Sequence, residues 1–192
     1  MAVAWQKHPI LLGSQSPRRA QLLKDMGLSF RQLASKVEEH YPSELKGAQI
    51  AEFLAELKAN SLLDKLEGDE ILICSDTVVW LEGKSLEKAK SKNEAREMLL
   101  ALSGKEHAVI SGLFMGNQKK SLLCHDQTLV KFKSLSIETI DYYIDQYQPF
   151  DKAGAYGIQE WIGMVGIESI KGSYFTVMGL PCHRIAEELE AW

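Results

Sequence analysis

The chain has 192 residues, 45% hydrophobic and 25% charged, with a formal net charge of −4 at neutral pH. This is an ordinary globular composition with enough chain for one substantial core, which excludes a disordered polymer. The acidic balance argues against a polynucleotide partner, which needs a basic face.

No apolar run reaches the roughly eighteen residues of a membrane span, and residues 1–9 lack the pattern of a signal peptide. A cytoplasmic protein with no membrane partner is expected. Cys74, Cys124 and Cys182 form no C-x-x-C pair and read as buried thiols, and the five histidines lack metal-ligand spacing.

In chain order, apolar residues 10–12 predict a strand that passes through Gly13, Ser14 and Ser16 to Pro17, a residue suited to a helix's first turn. Such a junction offers free N–H groups to an anion, and Ser14, Ser16, Arg18 and Arg19 add hydroxyls and planar donor forks. The competing reading is an N-cap followed by two solvated arginines, since the glycine spacing of a P-loop is absent. The helix should span 17–26 and close at Gly27, ahead of a strand at 30–34. Residues 35–42 form a polar loop in which Glu38 and Glu39 are either solvated or offer one carboxylate to a divalent metal.

Over 48–66, Ile50, Phe53, Leu54 and Leu57 recur at helical spacing, with Lys58 at the stripe's edge, able to reach a cleft or to snorkel into water. Residues 70–81 predict a long buried strand interrupted by Asp76. A carboxylate there needs a cation, hydrogen bonds or a metal, with an arginine partner as the purely structural option. A lysine-rich loop holding Lys88 follows, and then Ser91-Lys-Asn-Glu94 has the form of a capping box opening a helix over 94–102. Residues 107–115 and 122–132 predict a hairpin turning at Gly116-Asn117, and Ser136 should cap a helix ending before Pro149.

Residues 150–159 set Gly154 and Gly157 beside Asp151 and Lys152, as a phosphate-gripping loop or as an exposed turn. Gln159 could meet the imide edge of a base or merely cap a strand. Residues 161–170 and 175–178 read as strands, followed by a C-terminal helix. The order predicts an α/β (α+β) fold with a mixed twisted sheet flanked by helices, and no linker divides residues 1–192. Its cations (Arg18, Arg19, Lys58, Lys88, Lys152), acids (Glu39, Asp76, Asp151) and glycine loops suit a magnesium-bound polyphosphate.

At these residues the chain resembles the Maf family of nucleoside triphosphate pyrophosphatases. Ser14-Gln-Ser-Pro-Arg-Arg19, Ser75-Asp-Thr77, Leu102-Ser-Gly-Lys-Glu-His107, Asp151-Lys-Ala-Gly-Ala-Tyr-Gly-Ile-Gln159, Gly172-Ser-Tyr174 and Val177-Met-Gly-Leu-Pro181 are similar to its motifs, in its order. The resemblance implies a single Maf-like domain over 1–192, related to inosine triphosphate pyrophosphatases, with two lobes around a central cleft. It implies hydrolysis of a nucleoside triphosphate to the monophosphate and pyrophosphate with Mg2+ or Mn2+, in the branch acting on dTTP and UTP. A homodimer is one open state.

By the same resemblance Asp76 is the proton acceptor and, with Glu39, the metal-linked acid. Arg18, Thr77 and Gln159 set substrate choice, Lys58 and Lys88 contact phosphate, and Ser14, Arg19 and Lys152 support binding. The family's older link to septum formation implies an alternative, a nucleotide-binding regulator of cell division without turnover. Two departures stand out: the family's G-K-P appears as Glu87-Lys-Ala89, and Glu160 replaces a glycine. A carboxylate at 160 would oppose polyphosphate binding if it faced the site.

Overall fold

The first apolar run becomes β1 (Ile10–Leu12), fully buried, in the computed structural model, which describes residues 3–192. α1 (Pro17–Asp25) begins with Pro17 in its first turn, and Ser16 caps it by accepting the Arg19 N–H at 3.4 Å. Gly27, at φ +75°, supplies the left-handed step that frees the chain for β2 (Phe30–Gln32), parallel to β1. α2 (Ala48–Asn60) is shorter than its apolar spacing suggests. The Ser61 hydroxyl donates to the Lys58 carbonyl at 2.7 Å, and the remaining apolar residues form only a short turn at Leu63–Lys65.

β3 (Ile71–Leu81) is the predicted long strand, and β4 (Lys84–Leu86) folds back on its end. α3 (Lys92–Leu102) shows half of a capping box: Ser91 accepts the Glu94 N–H, whereas the Glu94 carboxylate takes the Lys90 N–H. β5 (Glu106–Gly116) and β6 (Ser121–Phe132) form the expected hairpin, its turn held by Asn117 accepting from the N–H groups of Lys119 and Lys120. Ser136 caps α4 (Ile137–Tyr147).

One expected strand is helical in its first half and another is helical throughout. Residues 161–170 split into α5 (Trp161–Gly166) and β7 (Ile167–Lys171), and 175–178 lie within α6 (Tyr174–Met178). Apolar and β-branched residues over so few positions do not separate a buried strand from a single helical turn. Glycine decides both: a Cβ at Gly163 would stand 1.8 Å from the Ile158 carbonyl oxygen, and Gly179, at φ +106°, closes α6 with its N–H on Phe175 and Thr176 carbonyls. α7 (Cys182–Glu190) ends the chain's regular structure. Of the three thiols only Cys74 is buried, the others being half-buried.

The sheet runs β2-β1-β3-β5-β6-β7, with β4 beside β3. Pairing is parallel among β1, β2 and β3 and antiparallel elsewhere, so the expected mixed α/β architecture holds. Separate apolar cores flank the middle of β3. Ile71 and Ile73 pack with α1 and α7, Leu72 and Cys74 pack with α2, and Val79 and Leu81 pack with α3, α4 and the end of β6. The change of core along one strand divides the molecule into two lobes. No helix among the described residues is long and apolar enough to cross a membrane.

Candidate active site

The cleft follows from how β3 is paired. β1 stops at Leu12, opposite Ile73, and β4 takes up the same edge only at Val79. Between them that edge of β3 has no strand partner, just where the chain leaves β1 for α1, the place where open α/β sheets hold ligands. A cavity of about 830 Å³ opens there. Ser14, Arg18, Arg19, Glu39, Lys58, Asp76, Thr77, Lys88, Lys152 and Gln159 all line it.

Side-chain alternation on β3 sends Asp76 towards α2 and Thr77 towards α1. Asp76, 8% exposed, accepts from Lys58 Nζ at 2.5 Å. The same ammonium lies 2.9 Å from Glu39. Lys58 therefore neither snorkels nor sits at the stripe's margin: with Ile50 and Leu54 it follows an i, i+4, i+8 line, the buried face of α2. The partner of Asp76 is a lysine rather than an arginine. Of the two loop acids, Glu39 enters the cleft, whereas Glu38 faces out towards His40.

On the other side, Arg19 donates to the Gly179 carbonyl at 2.8 Å, to Thr77 Oγ1 at 3.3 Å and to Ser14 Oγ at 3.4 Å. Thr77 is in turn 2.9 Å from Ser111, and Ser75 and Ser111 anchor to the Gly179 and Thr176 carbonyls. This buried polar web locks the guanidinium's direction. Sequence reasoning did not single out Ser111, although a serine within an apolar strand is a signal of the same kind as Asp76. Arg18 reaches across the cleft mouth to Asp151 at 2.7 Å, and Tyr41 donates to Glu87 at 2.7 Å. Lys88 is held by backbone pairing with Ala153 and remains exposed.

The electrostatics follow the geometry. Burial lowers the Arg19 guanidinium from its ordinary value, opposed by the nearby Asp76 charge. Burial alone would raise the Glu39 carboxyl, but the Lys58 hydrogen bond and charge, with Lys88 and Arg19 behind it, hold it below the usual range. Asp151 is treated alike: burial opposes ionisation and the Lys152 and Arg18 hydrogen bonds overcome it. Burial pushes the Cys74 thiol up to about 12, so it stays protonated beside the cleft.

An open-edged α/β sheet, a cleft with cations on several walls and one buried acid on its floor define a protein built to hold a polyanion. Residues 9–192 match the Maf-like protein family, and the chain belongs to it. A relative from Flavobacterium johnsoniae, named dTTP/UTP pyrophosphatase, is 47% identical over 184 residues, covering 96% of this chain and 95% of that protein. Proteins of the same name from Bacteroides fragilis and Porphyromonas gingivalis are 44% and 42% identical, over 96% of this chain and 96% and 94% of theirs. Among solved structures, the Staphylococcus aureus Ham1 protein shows a partial likeness, with TM-score 0.42, 17% identity and 65% of this chain and 71% of that chain covered. The assignment rests on the sequence relatives.

Proposed function

We propose that residues 1–192 act as one Maf-like domain, a nucleoside triphosphate pyrophosphatase that hydrolyses dTTP and UTP to the monophosphate and pyrophosphate. The observation that carries this reading is Asp76, buried on the cleft floor beside Lys58, with the α1 arginines on the opposite wall. The names of the full-length relatives supply the substrate class.

The chain's residues divide the work. Asp76 accepts a proton from the attacking water, while the Lys58 hydrogen bond keeps the carboxylate oriented. Arg19 and Lys88 face charge accumulating on the phosphoryl oxygens as the α–β anhydride breaks, and the first turn of α1, with Ser14, adds donors. Gln159 offers its amide oxygen to the N3–H and its amide nitrogen to a carbonyl of uracil or thymine. Arg18 and Thr77 frame the same pocket from the α1 side. A substrate drawn from the nucleotide pool suits a cytoplasmic enzyme that needs no polymer or membrane partner.

A divalent ion fits the residues present. Glu39 and Asp76 converge on a single positive point, now the Lys58 ammonium, and offer only hard oxygen donors. Mg2+ keeps waters and takes phosphate oxygens beside one or two carboxylates, the number this pair supplies. When bound, it would neutralise phosphoryl charge.

Phosphorus NMR of dTTP and UTP digests with Mg2+ or Mn2+ tests the proposal. Pyrophosphate should appear in step with the monophosphate, and Asp76→Asn should cut turnover about a thousandfold while the thermal transition is retained. Orthophosphate as the sole phosphorus product, or tight nucleotide binding with no turnover, would overturn it; the latter is the signature of a regulatory binder.

A further inference from the structure

Glu160 is not among the residues that line the cleft, and its side chain is 18% exposed. It occupies the residue just before α5, a position whose side chain commonly caps its own helix, yet it makes no such bond. One carboxylate oxygen instead lies 2.9 Å from Lys152 Nζ, and the other accepts from the Tyr143 hydroxyl. Tyr143 Oη in turn accepts the Gly157 N–H at 3.0 Å. Gly157 lies directly against the carboxylate, since a Cβ there would stand 2.9 Å from Glu160 Cδ. The feared negative charge is thus neutralised within the wall and tied to the backbone of the loop it follows.

Lys152, 9% exposed, also donates to Asp151 at 2.6 Å, and Asp151 holds Arg18 at 2.7 Å. Glu160, Lys152, Asp151 and Arg18 form a row of alternating charge that sums to zero. An ammonium has three N–H donors, and two of those on Lys152 are directed at carboxylates of the protein. A cation so placed adds little free charge for a phosphate, but it fixes the segment that begins at Asp151 and ends at Gln159.

We infer that Glu160 is a positioning residue for base recognition: it commits Lys152 to ordering the 151–159 loop, and so sets the direction in which Gln159 meets the base. The phosphates are left to Arg19 and Lys88, since Lys58 is likewise committed to two carboxylates. This deepens the proposed pyrophosphatase reading and rests on it for the identity of the base. Cytosine, which lacks the N3–H of thymine and uracil, is the informative competitor.

The test uses the full chain with Glu160→Gln, Lys152→Met, the double variant and Tyr143→Phe, each checked by thermal melting. kcat/KM is read for dTTP and dCTP, and calorimetry reads affinity for inorganic pyrophosphate. Each single variant should lower the dTTP-to-dCTP ratio by about tenfold, and the double variant should fall no further than the worse of its parents, because the two side chains act as one unit. Pyrophosphate affinity should stay within about threefold throughout. Tyr143→Phe keeps every charge and cuts only the hydroxyl bridge that joins the Glu160 carboxylate to the Gly157 N–H, so a lowered ratio there separates positioning from net charge. A tenfold loss of pyrophosphate affinity in Lys152→Met, or an unchanged base ratio in Glu160→Gln or Tyr143→Phe, overturns the inference. If the unmodified protein releases no pyrophosphate from dTTP, the proposed function fails. The preference for dTMP over dCMP in binding then reads the role of Glu160 independently.

Discussion

Lys58 decides whether Asp76 is usable. Two carboxylates face one ammonium, and removing that cation leaves a buried acid beside a half-exposed one with nothing between them. Lys58→Met should therefore cost about 3 kcal/mol of stability, less than a fully buried pair because water reaches Glu39. For a chain of this size the thermal midpoint should drop by about 6–12 °C, measured by calorimetry, with turnover falling at least a hundredfold. Arg19 gives a contrasting case. Its three protein bonds need a planar fork, so Arg19→Lys keeps the charge but not the geometry, and kcat/KM for dTTP should fall about thirtyfold in a fully folded protein. Full activity in that variant would reduce the web around Thr77 and Ser111 to packing. The sequence marked both residues as cations near a polyanion; it did not show that one is an acid's counter-ion and the other a locked donor, because that depends on which wall each faces.

At the scale of elements, the placement of α2 sets the site. The helix lies on β5 at Gly112, where a Cβ would stand 2.2 Å from the Ala51 carbonyl oxygen and 2.8 Å from the Glu52 nitrogen. Both obstructing atoms are backbone, so the helix itself must move. Gly112→Ala should cost about 3 kcal/mol and, because α2 carries Lys58, should lower kcat as well; melting curves and kinetics on one preparation check both. A variant with normal melting and normal turnover would mean that α2 can shift without moving Lys58. The helices α1 to α4 and the hairpin were legible because each is long enough to show a period or carries a cap, and β1 and β3 because an uninterrupted apolar run meets a turn signal. α5 and α6, at six and five residues, were not. Their helical state is set by close approach at Gly163 and the left-handed turn at Gly179, which only the folded chain displays.

For the whole molecule, acid is the informative variable. His107 is 3% exposed, its Nε2 is 2.7 Å from the Tyr156 hydroxyl, and its Nδ1 has no partner among the described residues. Burial lowers its pKa to about 4, so the folded state holds it neutral while the unfolded chain takes a proton below about 6.5. The contribution of His107 is then fully present above pH 6.5 and declines as pH falls from 6.5 to 4, by about 3 kcal/mol. Glu39 and Asp151, whose carboxyls are held low in the fold, add to the loss as pH falls through their unfolded and then their folded values. Urea titrations from pH 4 to 8 should show this slope, and His107→Asn should flatten its upper part. An unchanged slope would mean that the imidazole gains a proton without cost.

The sequence alone determined the elements with a strong period, the mixture of helix and sheet, and the residues whose chemistry was out of place in their pattern, Asp76 above all. Those properties are local: a turn residue, a cap or a charge within an apolar run is visible within about ten positions. What tertiary structure decided was pairing. Lys58 came to Asp76 because α2 crosses β3, Arg18 to Asp151 across 133 residues of chain, and Glu160 to Lys152 because a tyrosine and a glycine close the loop between them. Charges found one by one in a chain carry no direction; only packing assigns each to an ion pair, a phosphate or the solvent.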